Sequence, residues 1–547
     1  RSGGPSRAPF FMYYATGTAH APHHAPQIWI DHYKGKFDMG WDKARETILK
    51  RQIQRGIMPA SAKLAPMPEG VPAWNTLNAD QKRLYARQME VFAASISYAD
   101  EQFGRVLDAL QASGELDNTI VIVTSDNGAS AEGALSGTYN EMAALNGRPA
   151  TDAENMRFID QWGGPQTFPH YAVGWTVAGD TPLRYYKQTA HEGGIRVPFV
   201  IAWPKGIKAK GELRTQYVHV TDVAPTLMDM ANVPLAEIVS NVKQAPMEGT
   251  SFKYSLADKK APDQKTAQYT ELWGNKALWS RNWSINTTNR VKTWDVLVDN
   301  PVNQPWELYD LSKDPGQTTD LAAKYPDKVK ELGALFEAQA EKFHVNPIEN
   351  AAANGRYTAK ARQQDFLQRG GKWTFDGPVA HIATFAAPPV TGAPFTMSAN
   401  VDLPTGKETG PIYAIGGSHG GMAFYLKDGV PVFLLRNMAG DTVSVVADKP
   451  LQKGANTLEL SMPRKPGLIM TTQTVPITIK ANGQVVASKS VTADLPLIYD
   501  ISEPFDVGGD SGSTVSKDYP ENFAFPGTLR NVVFDFNPPA PAKAAAK

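Results

Sequence analysis

The stretch TIVIVTSDNGAS, Thr119 to Ser130, joins an apolar run to a polar turn. Four consecutive β-branched apolar residues, Ile120 to Val123, read as a strand covered on both faces. In open α/β sheets, ligands gather beyond the carboxyl ends of such strands. There Asp126 and Asn127 offer hard oxygen donors suited to a cation, and Gly128 lets the backbone turn sharply. Taken alone, Asp-Asn-Gly is also an ordinary Asx-type turn that closes a strand. Its neighbours must decide between the two.

Upstream, Asn78 to Gln111 carries Leu84, Val91 or Phe92, Ile96, Phe103, Val106, Leu107 and Leu110 as the stripe of a long amphipathic helix, with Gly114 as a candidate C-cap. Helix followed by strand signals a layered α/β sheet with helices on both faces. An earlier strand is expected at Phe10 to Tyr14 and a second buried strand at Pro198 to Trp203. Residues 129–181, rich in Gly, Asn and aromatics, suit a pocket-forming loop rather than a linker. Thr221 to Ala231 reads as a capped helix, and the short aromatic runs between Gln268 and Asn300 as antiparallel hairpins.

The expected organisation is an α/β unit over 1–345, with an antiparallel subdomain at about 265–345, and then a linker over 346–394. A β-sandwich over 395–537 follows, because Asp428-Gly429 and Asn482-Gly483 are strong hairpin signals between alternating runs. The tail, 538–547, has the composition of a disordered segment.

Bulk properties exclude several classes. The 547 residues balance 55 Lys+Arg against 55 Asp+Glu, so no global field recruits nucleic acid or a membrane surface. No apolar run reaches the ~18 residues that a membrane span needs. With Cys 0, the chain has no disulfide, thiolate metal site or cysteine nucleophile.

Three further stretches bear on chemistry. "TAHAPHHAP" places His20, His23 and His24 on a proline-stiffened loop, where a histidine can donate to an anion or protonate a leaving group. Any one of them could equally be a packing side chain. "YYKQTAHEGGIRVP" sets Lys187, a compact point charge suited to an anionic oxygen, before a Gly-Gly turn. His191, Glu192 and Arg196 read as ion pairs that set that turn. "WELYDLSKDPGQTTDLA", Trp306 to Ala322, reads as a scaffold turn before a helix.

In this order, "HAPHHAP", "SDNG", "K-x-x-x-x-EGGIRVPFVIAWP", "HVTDVAPT" and "WELYDLSKDP" resemble the type I sulfatases of the alkaline phosphatase superfamily, above all the long bacterial arylsulfatases. The resemblance covers about residues 9–345. It implies a sulfuric ester hydrolase of small-molecule or glycan sulfate esters. By that resemblance Asp126 and Asn127 bind a divalent cation, calcium or else magnesium. Lys187 touches the sulfate, and His20 is directed at the ester oxygen.

The departure concerns the nucleophile. Sulfatases use a formylglycine made from Cys or Ser in a C/S-x-P-x-R signature. This chain has no Cys and no S-x-P-x-R; "SMPRK" at Ser461 has the wrong spacing. The expectation is therefore a chain without the family's N-terminal catalytic segment, inactive by itself. An exposed strand at Phe10 favours truncation over a degenerate homologue. Phosphonate or phosphate monoester hydrolysis, or noncatalytic glycan or partner binding by the sandwich, are the alternatives. A periplasmic or secreted location follows from the resemblance alone.

Overall fold

The computed structural model describes residues 9–289, 291–295, 303–348, 369–465 and 470–536. Its first half is built around a helix, α2 (Ala79–Ala112), that packs with α1 (Gly40–Gln54) and α3 (Val173–Gly179). Asn78 starts α2 with a capping box: its Oδ1 accepts from Gln81 N at 2.9 Å, and Gln81 Oε1 accepts from Asn78 N at 3.0 Å. Leu84, Gln88, Val91 and Ser95 recur at helical spacing and are buried. Trp41 of α1, Trp175 of α3 and the neighbouring Trp74 meet edge to face, with centroids 4.8–5.9 Å apart. Trp175 Nε1 donates to Tyr85 O at 2.7 Å, so this aromatic core leaves its indole satisfied.

Two strands carry the sheet of this unit, β1 (Val121–Thr124) and β2 (Phe199–Ala202). They pair antiparallel, with Thr124 opposite Phe199. The expectation of strands covered on both faces is corrected here: Val123 is 45% and Val200 58% exposed. A strand face is buried only where another layer packs on it, and apolar composition alone does not supply that layer. Phe10 to Tyr14 is also corrected: the segment is irregular and exposed. Aromatic residues favour extended backbone, but a strand needs a hydrogen-bonding partner. This segment has a ring contact instead, Tyr14 on Phe103 at 6.0 Å. With no strand there, the edge argument for truncation loses its support.

Helix α4 (Val223–Ala231) continues a short 3-10 turn and ends on Asn232 in the left-handed region. Next comes a four-stranded antiparallel sheet, β3 (Gln268–Leu272), β4 (Asn275–Ser280), β5 (Trp283–Asn286) and β6 (Glu307–Asp310), in sequential order. Leu332, Phe336 and Ala340 of α5 (Pro326–Lys342), spaced four apart, cover Leu278, Ile285 and Leu308 of that sheet.

The C-terminal half is a sandwich of two six-stranded antiparallel sheets. Its strands are β7 (Lys372–Phe375), β8 (Val379–Ile382), β9 (Phe395–Leu403), β10 (Gly410–Gly417), β11 (Gly420–Lys427) and β12 (Val430–Arg436). They continue with β13 (Thr442–Val446), β14 (Gly454–Met462), β15 (Thr471–Ala481), β16 (Gln484–Leu495), β17 (Phe505–Val507) and β18 (Thr528–Asp535). One sheet runs β16-β15-β14-β9-β18-β7, the other β8-β17-β10-β11-β12-β13. Phe395, Met397, Ala399, Val401 and Leu403 alternate inward on β9 to meet Ile412, Phe424 and Phe433 of the facing sheet. Asp428-Gly429 and Asn482-Gly483 sit at hairpin tips with φ of 50°, 79°, 49° and 78°, the left-handed pair that a two-residue turn requires.

The segment read as linker is partly structure. Strands β7 and β8 lie inside 346–394 and close the edges of the two sheets, which hydrogen bonding to β18 and β17 explains. Residues 349–368 of that segment and the tail 538–547 lie outside the described residues.

The two halves are tied together by buried amides. Asn146 Nδ2 donates to Ile498 O at 2.7 Å, and its Oδ1 accepts from Leu497 N and Ile498 N at 2.8 and 3.0 Å. Asn140 Nδ2 donates to His419 O and Met438 O. Met142 and Ala143 pack on Met438, Met470, Leu497 and Ile498 between them.

Candidate active site

Antiparallel pairing of β1 with β2 sets the end of one strand beside the start of the other. The turn Ser125–Gly128, leaving β1, therefore meets the turn Glu192–Ile195 that leads into β2. Gly128 N donates to Gly194 O at 3.1 Å. A Cβ on Gly128 would lie 1.7 Å from Gly193 O, and one on Gly193 would lie 2.2 Å from Tyr185 O. Only glycines permit backbones this close. One residue further on, Lys187 N donates to Ala129 O at 3.0 Å, which fixes Lys187 beside the "SDNG" turn.

The structure brings His20 and Lys187 together. Lys187 Nζ lies 3.1 Å from His20 Nε2 and 2.9 Å from Glu132 Oε2. His20 Nδ1 lies 2.8 Å from Ala21 O, a carbonyl that can only accept. Nδ1 therefore carries the proton, and Nε2 offers its lone pair to the ammonium. Lys187 has three donors and uses two of them among the described residues.

Asp126 and Asn127 are placed near this group through the backbone, without side-chain contact to it. Asp126 is exposed, and its carboxylate has no hydrogen-bond or ion-pair partner among the described residues. Asn127 Nδ2 donates to Gly128 O at 2.9 Å, and its Oδ1 has no hydrogen-bond partner among the described residues. Two unpartnered hard oxygens on adjacent residues fit a divalent cation as a partial ligand set.

Glu132, which sequence reasoning missed, is the hub of the group. Its Oε2 also accepts from Ser130 Oγ at 2.8 Å, and its Oε1 from Gln188 Nε2 at 2.8 Å. Burial disfavours its charge, but contact with Lys187 and the Ser130 hydroxyl outweigh it and hold the carboxyl down to about 2. Behind it Glu141 is buried, and desolvation followed by the Glu132 charge pushes its pKa up. Ligand atoms of His20, Glu132 and Glu141 lie within 4.8 Å of one another. The Lys187 ammonium already sits on Glu132, so the cluster is an ion pair rather than a cation cradle. Only the acid's position six residues after Asp126 could have signalled Glu132, and a lone acid in a glycine-rich loop has no periodicity to distinguish it.

The other candidates are structural. His23 is buried and stacks on Tyr171 at 4.9 Å, and His24 Nε2 lies 2.7 Å from Thr167 O. Burial pushes His23 well down, so it is neutral. His170, also buried and held down to about 4 by desolvation, donates from Nδ1 to Tyr171 O at 3.0 Å. His191 is buried and pairs with Glu307 Oε2 at 3.0 Å, and Arg196 with Glu192 at 3.6 Å. Arg196–Glu192 lies within the Gly-Gly turn, as its sequence reading expects, while His191 ties the turn to Glu307 of β6.

Residues 4–233 match the family model for sulfatases. Residues 183–343 match the model for the N-sulphoglucosamine sulphohydrolase C-terminal region. The α/β half of this chain belongs to the sulfatase family. Among its relatives is an uncharacterized sulfatase of Schizosaccharomyces pombe, 31% identical over 59% of this chain and 56% of that one. An arylsulfatase of Klebsiella aerogenes is 29% identical over 45% of this chain and 52% of that one. A solved putative sulfatase from Bacteroides fragilis is 16% identical, covers 58% of this chain and 50% of that one, and superposes with a TM-score of 0.32. The sulfatase region thus matches relatives of which this chain spans about half the length.

Proposed function

We propose that this sulfatase-family chain serves the hydrolysis of sulfate monoesters, of small molecules or of glycans. The observation that carries the reading is the Lys187 ammonium, held 3.1 Å from His20 Nε2 beside the turn that carries Asp126 and Asn127. A sulfate ester presents anionic oxygens and one bridging oxygen that gains charge as the S–O bond breaks. An ammonium with a donor to spare, in a partly desolvated site, stabilises that charge. His20 Nε2 lies within hydrogen-bond reach of that ammonium, on the side where the ester oxygen would sit.

Asp126 and Asn127 would hold the divalent cation through hard oxygens that suit calcium or magnesium alike, and the family resemblance favours calcium. When bound, the cation supplies Lewis-acid polarisation of the sulfate oxygens. The formylglycine of the family has no signature in these 547 residues, so the residues described bind and polarise rather than attack. By itself this chain is expected to show no turnover. A periplasmic or secreted location accompanies the reading as part of the proposal.

The test is release of sulfate from aryl and saccharide sulfates by the natural full-length gene product, with calcium or magnesium supplied or chelated. Cation-dependent sulfate release supports the reading. Turnover of phosphate or phosphonate monoesters without sulfate release overturns it in favour of the sister chemistry. No turnover of any ester points to a noncatalytic binding protein.

A further inference from the structure

We infer that Glu132 is a positioning residue for the site: its carboxylate aims the Lys187 ammonium so that one N–H rests on Glu132, one caps His20 Nε2, and the third is left for the ester. The inference rests on the sulfate-ester reading above, and its first test does not.

The geometry carries it. Lysine is a flexible four-carbon stem with a rotating ammonium, and nothing in the side chain itself selects one direction. Lys187 is held at both ends. Its backbone N–H is fixed on Ala129 O at 3.0 Å, and its Nζ on Glu132 Oε2 at 2.9 Å. Glu132 is fixed in turn, by the Ser130 hydroxyl on the same oxygen and by Gln188 Nε2 on the other. Ser130 belongs to a rigid backbone, because its carbonyl accepts from Thr176 Oγ1 of α3 at 2.7 Å and Ala129 N donates to Asp180 Oδ1 at 2.9 Å.

Exposed ion pairs of this kind move freely and contribute little. Here the two side chains are 18% and 17% exposed, so the direction of the ammonium is set by the protein rather than by water. His20 is the contrast: its ring is 55% exposed and lies 3.8 Å from Glu132, too far for a hydrogen bond. It depends on Lys187 for its Nε2 partner, and Lys187 depends on Glu132.

A carboxylate beside a sulfate also repels it. Glu132 therefore lowers ground-state affinity while holding the groups that act as the bond breaks. That pairing of effects separates positioning from mere structural support.

The first experiment uses this chain with 15N-labelled histidine, the His20 resonances being assigned with His20→Gln. Glu132→Gln and Lys187→Met should both move the His20 Nε2 resonance toward that of a nitrogen without a donor. The double variant should add nothing to either, since both act on one hydrogen bond. If Lys187→Met moves the resonance and Glu132→Gln does not, Lys187 stays in place without Glu132 and the proposal is overturned. If neither moves it, the Lys187–His20 bond is not formed and the proposal is overturned as well. Should Glu132→Gln fail to fold, Glu132→Asp keeps the charge one methylene short and should give a partial move in the same direction.

The second experiment uses the full-length gene product. Glu132→Gln should lower kcat by about 10²-fold, the scale of an ångström-sized misplacement, with KM unchanged or lower. A KM that rises as kcat falls would instead mean general loss of structure and would overturn the assignment. Absence of sulfate-ester turnover in the unmodified enzyme would remove the functional reading, while the histidine resonances still decide whether Glu132 aims Lys187.

Discussion

Replacing Asn146 by alanine tests how the sandwich is held to the α/β half. The side chain is fully buried and satisfies three backbone groups of the segment after β16: Leu497 N, Ile498 N and Ile498 O. Leu497 and Ile498 are themselves buried at 1% and 3% exposure, so water does not reach those groups in the native state. Each buried group left unpaired costs about 1–3 kcal/mol. Three such groups give roughly 3–9 kcal/mol, and a water entering the vacated volume could satisfy one or two of them. The one or two groups then left unpaired cost about 1–6 kcal/mol.

Asn146→Asp sharpens the test. It retains the acceptor for the two N–H groups but sets an oxygen against Ile498 O and Met142 O, both now accepting from Nδ2 at 2.7 Å. It should be at least as damaging near neutral pH and recover in acid, where the carboxyl can donate. The assay is denaturant unfolding followed together with amide exchange at residues 140–147 and 494–499. Alanine should speed exchange of the Leu497 and Ile498 amides in particular. Unchanged melting, with those two amides still protected, would refute the claim that Asn146 fastens the halves.

Lys187→Ala in the full-length gene product should lower kcat and kcat/KM together by about 10²–10³-fold, with Lys187→Arg a poor replacement, because a planar fork cannot take the place of a compact ammonium. Lys205→Ala, on the turn after β2, should leave kinetics nearly unchanged; equal kinetics for the two alanine variants would remove Lys187 from the site. His170, held near 4 against an ordinary 6.5, makes stability present above about pH 6.5 and lost as pH falls toward 4, by about 3 kcal/mol in full. His170→Gln should flatten that acid limb in pH-dependent melts. Asp510 has the opposite sign: burial raises it to about 7 from 3.8, so stability present below pH 4 is lost as pH rises to about 7, by about 2–4 kcal/mol. Asp510→Asn keeps acceptance from Val515 N and Tyr519 Oη while removing the charge, so the sandwich should melt higher than the parent at pH 8 and alike at pH 4.

Local physics carried much of this protein. The capping signal at Asn78 and the stripe from Leu84 onward place α2 within a residue or two, because a helix is held by contacts four residues apart. The Asp428-Gly429 and Asn482-Gly483 tips and the alternation along β9 likewise specify the sandwich hairpins, where twist and pleat are properties of short segments. The sequence also offers the adjacent acid and amide at Asp126 and Asn127, with Lys187 and His20, as candidates. Each was marked by residue type at a turn and by the order of the five stretches.

Tertiary structure decided what residue type could not. Ile120 to Val123 reads as buried by composition, yet burial is a property of what lies on either face, and Val123 is 45% exposed. Phe10 to Tyr14 has strand propensity but, among the described residues, no strand partner to express it. Strands β7 and β8 are invisible in a segment that looks like linker, since edge strands are selected by the sheets that recruit them. Glu132 is the sharpest case. Its sequence neighbours are ordinary loop residues, and its importance comes from Lys187 and Gln188, 55 and 56 positions away, which antiparallel pairing of β1 with β2 carries to the same end of the sheet. A motif reports the chemistry a residue offers; only the fold fixes which charge stands beside it.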